Sequence, residues 1–195
     1  EDSKDTFKIK YIDSIKSWSA PFVMSIANTR VVRRSVELHE LNQSGYGSEF
    51  TYKEFMNVKK YSSALMVSIG LAILGLMIVS PISYLFRKLF TKPGNGPDKK
   101  TRDNGWFESI FIGKNTNNEF YKLRIYGDGD PGYKTTAKFI CESALCLVKS
   151  DGYLENTNKG GVLTTATGLG DHLIKRLKNA DILFEGPEKI AKTIT

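Results

Sequence analysis

Hydrophobic residues are spread along this chain in short periodic runs, except between Ser62 and Phe86, where SSALMVSIGLAILGLMIVSPISYLF carries no charged side chain over 25 residues. As a helix such a run is about 37 Å long at about 1.5 Å per residue, longer than the roughly 30 Å hydrocarbon core of a bilayer. Three structures satisfy it: a helix buried in a protein core, a simple membrane span, or a hairpin that enters one leaflet and returns. A buried helix can be apolar all round, but 195 residues with 41% hydrophobic composition offer little core to surround one. Gly70 and Gly75 offer places for a turn and Pro81 for a kink. Two legs of about 11 residues would each reach about 17 Å, near half the hydrocarbon thickness. Lys53, Lys59 and Lys60 precede the run and Arg87, Lys88 and Lys92 follow it. Basic residues at both ends give no direction across a membrane and suit both ends on one face.

On either side the pattern is that of ordinary polar protein. Phe7, Ile9 and Tyr11 alternate with polar neighbours in TFKIKYI, which predicts a half-buried strand over Thr6 to Ile12. Ser19 as a cap and Pro21 in the first turn predict one helix or two up to Gly45, broken near Asn28 and Thr29. Glu49 to Met56 has strand character through Phe50 and Tyr52, and Thr91 to Gly105 (TKPGNGPDKKTRDNG) predicts an exposed loop. Trp106 to Ile112 and Phe120 to Tyr126 read as an antiparallel hairpin. A glycine-rich turn, Gly127 to Tyr133, then leads into a helical pattern through Ala137, Ile140, Ala144, Leu145 and Val148 that ends near Gly152. Gly160 to Thr165 suggests a short strand, Gly168 to Gly170 a turn, Asp171 a cap, His172 to Asn179 an amphipathic helix and Ile182 to Glu185 a last strand before a loose tail. The expected fold is α+β. It has a mixed or antiparallel sheet with helices drawn from 1–60 and 106–185, an apolar membrane-inserting helix or hairpin at 61–90, a loop at 91–105 and a tail at 186–195.

Charge narrows the partners. A formal net charge of +7 and a pI near 9.3 favour anionic ones. Beside an apolar segment, anionic lipid is the economical choice, since juxtamembrane Lys and Arg each gain about 1 kcal/mol near such a surface. No aromatic-rich basic module of the RNA-binding kind is present, so nucleic acid is not an expected partner. The first residue is Glu and no signal peptide precedes it, which predicts a piece of a longer protein or a processed chain. Cys141 and Cys146, five apart on a predicted helix, lie about 140° apart around its axis and do not readily bridge. Free, buried thiols in a reducing compartment are expected.

Candidate chemistry is thin. Arg30, Arg33 and Arg34 form a cluster able to grip a phosphate or carboxylate, or else a solvated helical face paired with Glu37. The turn at Gly127 to Tyr133 could offer backbone N–H groups to an anion, but Asp128 and Asp130 repel one, and two Asp are too few for a calcium loop. A dinucleotide fingerprint built on Gly168 and Gly170 fails because its third glycine falls at Leu173. His39 and His172 are the only histidines, no serine sits in a G-x-S-x-G elbow, and two Cys with one His leave a metal site incomplete. No catalytic, cofactor-binding or metal-ligating residue is assigned from the pattern.

Four runs taken in order, SAPFVMSIANTRVVRRS, KPGNGPDKKTRDNGWF, DPGYKTTAKFICESALCL and GGVLTTATGLGDHLIKRL, resemble the C-terminal part of saccharopine dehydrogenase-like oxidoreductases, a family that includes bacterial trans-acting enoyl reductases. The resemblance spans about residues 17 to 185. It implies NAD or NADP bound by an N-terminal Rossmann domain absent from this chain, and a second, mixed domain that packs on it and helps form the substrate side. Relatives usually carry a proline where this chain has Thr165, which loses a rigid turn. Eukaryotic members resemble lipid-droplet proteins, so the resemblance implies attachment to a membrane, a droplet monolayer or the endoplasmic reticulum surface. If the parts flanking Ser62 to Phe86 form one domain, a hairpin follows. The expected function is that of a membrane- or droplet-attached region of an oxidoreductase acting on a hydrophobic substrate. The alternative is a lipid-surface anchor or scaffold without chemistry.

Overall fold

The structure, a computed structural model, describes residues 8–41, 45–47, 49–80, 94–149 and 161–191. Among these the fold is α+β with two three-stranded sheets, both antiparallel throughout. The chain divides into two compact units, Glu1–Gly96 with Thr193–Thr195, and Pro97–Lys192. The sequence before the apolar segment builds the first sheet and the sequence after it builds the second.

In the first unit β1 (Tyr11–Ile12), β2 (Ser17–Ala20) and β3 (Met56–Val58) make a sheet with β2 at its centre. A 3-10 turn, Asp13–Ile15, joins β1 to β2, and Lys16 closes it in the left-handed region at φ 47°. Ser19, expected to cap a helix, is instead a buried strand residue whose Oγ accepts from the Lys10 N–H at 2.9 Å. Pairing on both edges of SWSA outweighs its capping propensity, since a central strand satisfies every backbone group at once. Helix α1 (Ser25–Leu41) then runs unbroken through Asn28 and Thr29. The Thr29 hydroxyl donates back to the Ser25 carbonyl one turn earlier at 2.6 Å, which the helix accommodates without a break, and the Asn28 amide is drawn away from the backbone to Glu54 at 2.9 Å. The strand expected at Glu49 to Met56 is displaced to β3, leaving Phe50 and Tyr52 outside the sheet.

Helix α2 (Tyr61–Val79) follows β3 after two residues and is continuous over its 19 residues, about 28 Å. Gly70 and Gly75 lie inside it. An interior glycine costs only about 1 kcal/mol relative to alanine, too little to break a helix of otherwise good formers, so a hairpin turning at either glycine is not what this sequence forms. The Ser68 hydroxyl donates to the Ala64 carbonyl at 2.8 Å, which hides its polarity within the helix. Pro81 to Phe86 lie outside the described residues.

The second unit contains α3 (Lys99–Asn104), β4 (Trp106–Lys114), β5 (Phe120–Asp128), α4 (Lys134–Lys149), α5 (Thr165–Gly168), α6 (Gly170–Asn179) and β6 (Leu183–Ile190). Within the predicted loop, α3 forms because Asp98 caps it, accepting from the Thr101 N–H at 2.8 Å. The predicted hairpin is β4–β5, running from Trp106↔Asp128 to Lys114↔Phe120. β6 pairs with β5 and extends to Ile190, so residues expected in a loose tail complete a ladder. No strand forms at 161–164: Thr164 caps α5 through a reciprocal hydrogen-bonded box with Thr167. Thr165 thus occupies the first helical position, where a proline would also fit. Asp171 lies in the first turn of α6 rather than capping it.

The unit closes around Phe107, whose ring meets Phe139 of α4 edge-on at 5.8 Å, and Ile182, 2% exposed. Gly127 has no room for a side chain there: a Cβ would lie 2.5 Å from the Phe107 ring. An ion pair between Arg176 of α6 and Glu142 of α4 at 2.7 Å joins the two helices. Cys146 is buried, as expected, but Cys141 is exposed. The apolar stripe that marks α4 in sequence (Ala137, Ile140, Ala144, Val148) lies on its exposed side, with Ile140 67% and Val148 82% exposed, while Thr135 and Cys146 face inward.

Candidate functional site

The feature with the clearest physical demand is α2. Along its length only Ala64 is buried, and Met66, Leu76, Ile78 and Val79 are all more than half exposed. It is long and apolar enough to cross a membrane, and it is the one such helix among the described residues. Its exposure removes the reading of a helix wrapped in protein core. A soluble surface of this kind is anomalous, because burying each such side chain is worth about 1.5–3 kcal/mol.

What positions α2 is the first sheet. The helix starts at Tyr61 and packs on β2 and β3. Trp18, half-buried at the centre of β2, meets the Tyr61 ring edge-on at 5.0 Å and the Tyr11 ring at 5.2 Å. Register explains the cluster: Trp18 pairs with Tyr11 on one side and Val58 on the other. Sequence reading missed these three aromatics. The single available signal was their proximity to the apolar run, since only the strand register brings Tyr11 and Tyr61 to the same tryptophan.

The other candidates resolve into local partnerships. Arg34 pairs with Glu37 at 2.7 Å, both exposed, and the Arg30 guanidinium donates to the Ile26 carbonyl. Arg33 is half-buried and engaged as well, so the cluster is taken up by local contacts. Asp130 accepts from the N–H groups of Gly132, Tyr133 and Lys134 at 3.0–3.2 Å, occupying with its own carboxylate the donors an anion would need. Asp128 accepts from the Tyr126 hydroxyl at 2.7 Å, and this bond pushes the phenol's pKa up. His39 packs edge-on against Tyr46 at 5.3 Å in the first unit, and His172 lies in α6 of the second. Tyr52 donates to Glu54 at 2.8 Å; burial first, and then Glu54, raises its pKa. Among the described residues no group of three or more His, Cys, Asp or Glu could hold a metal ion.

A nicotinamide cofactor does not fit this chain's glycine turn. Gly168 ends one short helix and Gly170 opens another, whereas a dinucleotide loop must follow a parallel strand directly. On the outer part of the second sheet, Arg124 bridges Glu108 and Glu185 across all three strands and lies over the Tyr126 ring at 5.2 Å. That ladder joins residues 61 positions apart and was not legible from sequence. It is a surface tie of the sheet, with one guanidinium shared by two carboxylates.

An α+β chain that builds two antiparallel sheets and presents an exposed apolar helix can be compared with known proteins. The relatives it matches carry the name trans-acting enoyl reductase. A Mycobacterium tuberculosis protein provisionally named trans-acting enoyl reductase is 35% identical over 177 residues, covering 86% of this chain and 41% of that protein. Proteins named trans-acting enoyl reductase from Mycobacterium bovis and Mycobacterium ulcerans are each 30% identical over 175 residues. The chain therefore spans about two fifths of the length of the curated relatives it matches. No family model matches it, and no solved structure does.

Proposed function

We propose that this chain is the membrane-attached C-terminal part of a saccharopine dehydrogenase-like oxidoreductase that acts on a hydrophobic, lipid-type substrate. Its NAD or NADP is held by an N-terminal Rossmann domain outside this sequence, and α2 attaches it to a membrane or a droplet monolayer. The observation that carries the reading is the pairing of an exposed apolar helix with similarity to enoyl reductases over 86% of the chain. The exposed apolar stripe of α4 supports it too, because such a stripe is where a further domain would pack. The glycine turn that does not fit a dinucleotide supports placing the cofactor elsewhere.

Equilibrium titration tests the division of labour. This chain alone shows no saturable binding of NADH or NADPH, whereas a parent protein with the upstream domain binds one of them and reduces an enoyl substrate. A micromolar nicotinamide site on this chain would overturn the assignment.

A further inference from the structure

We propose that the end of the first sheet from which α2 departs is a headgroup site for anionic phospholipid, in which Lys16, Lys59 and Lys60 meet the phosphates and Tyr11, Trp18 and Tyr61 lie at the membrane–water boundary. The inference rests on the attachment reading of α2 and adds to it a lipid preference that an apolar helix alone does not supply.

Register places the groups together. Ser17 follows Lys16 and pairs with Ile12, one position beyond the Trp18↔Val58 pair, and Lys59 and Lys60 follow Val58 directly. All three lysines therefore sit at the sheet end where α2 begins. They are exposed, and no ion pair engages them among the described residues. Asp13 is the one acid in the adjoining turn, so positive charge prevails. Directly behind the lysines stands the aromatic row, with Tyr11 45% and Tyr61 51% exposed and both rings held edge-on to Trp18. Amphipathic aromatic rings favour the boundary layer of a bilayer, polar edge outward and apolar body inward. Lysines and aromatics thus lie together where the uncharged helix begins, the two residue types that the phosphate and glycerol layers of a leaflet attract.

The full chain is synthesised in the presence of vesicles, and bound protein is recovered by flotation on phosphatidylcholine alone and on an equal mixture with phosphatidylglycerol. Wild type prefers the anionic vesicles, and Lys16→Gln, Lys59→Gln and Lys60→Gln together remove about fivefold per lysine, on the order of a hundredfold for the three. The variant still binds neutral vesicles through α2. In a Trp106→Phe background, Trp18 is the single tryptophan, and its emission is quenched by bromines placed high on the acyl chain more than by bromines near its end. Equal binding of wild type to both vesicles, or an anionic preference that survives in the triple variant, overturns the headgroup site and leaves α2 attachment standing. Failure to bind either vesicle overturns the attachment reading itself. Trp18 that bromines at no depth quench, in protein that floats, also overturns the site.

Discussion

Replacing Leu74 by arginine puts the attachment role of α2 to a quantitative trial. Leu74 is the middle residue of the uncharged run Ser62 to Phe86 and lies 13 residues beyond Tyr61, about 20 Å along the helix axis. It is 36% exposed, with Ile73 at 52% and Leu76 at 72% beside it, so no protein group shelters a charge there. An arginine near the centre of an inserted helix costs about 2.5–3.5 kcal/mol on insertion scales, and the lost leucine gives up about a further 0.5 kcal/mol. The sum, about 3–4 kcal/mol, reduces partitioning into membranes between roughly one hundredfold and one thousandfold at 1.4 kcal/mol per decade. Flotation of wild type and Leu74→Arg on phosphatidylcholine vesicles reads this directly, with circular dichroism to show that both are folded. Leu74→Phe, apolar and of similar demand, floats like wild type. Equal flotation of the arginine variant would refute the reasoning, because a helix lying in water or against protein has no such cost to pay.

Asp130→Ala removes the acceptor for three N–H groups at the start of α4 and lowers stability by about 1–2 kcal/mol, read as a fall in Tm, while Asp130→Asn keeps most of it. Gly105→Ala places a Cβ 2.5 Å from the Asp130 Cα and costs about 1–3 kcal/mol in urea denaturation, whereas Gly113→Ala, with open space around it, leaves the midpoint within error. Glu119 has its pKa held down to about 2 by hydrogen bonds from Lys189, Asn115 and Tyr121. The folded state binds fewer protons than the unfolded chain there. Its contribution is therefore complete above the ordinary value of 4.5 and is lost as pH falls toward about 2. Thermal melts across that window show wild type losing stability more steeply than Glu119→Gln; parallel curves would contradict the assignment.

Much of the second unit was legible because its signals are local. The apolar-rich runs Trp106 to Ile112 and Phe120 to Tyr126 and the polar link between them are local features of the sequence, and the β4–β5 hairpin follows them. The heptad-like spacing of Ala137, Ile140 and Ala144 likewise marks α4 as a helix. Which face of α4 meets protein was not legible, because the period fixes only that the residues share a side. Non-local pairing defeated the rest. SWSA reads as a helix start until β1 and β3 flank it, and the last strand, expected over Ile182 to Glu185, extends to Ile190 only because β5 offers it an edge. The same limit hid the aromatic row at the base of α2, while α2 itself, uncharged over its whole length, was evident from composition.

The central claim is that α2 lies in the acyl region of a membrane. Single cysteines placed at Ile69, Leu74 and Ile78, in a background without Cys141 and Cys146, carry an environment-sensitive fluorophore into vesicles. The account predicts blue-shifted emission at all three, quenched by acyl-chain spin labels and untouched by aqueous iodide. Water-like emission at all three, quenched by iodide in protein that is folded and mixed with vesicles, would contradict it.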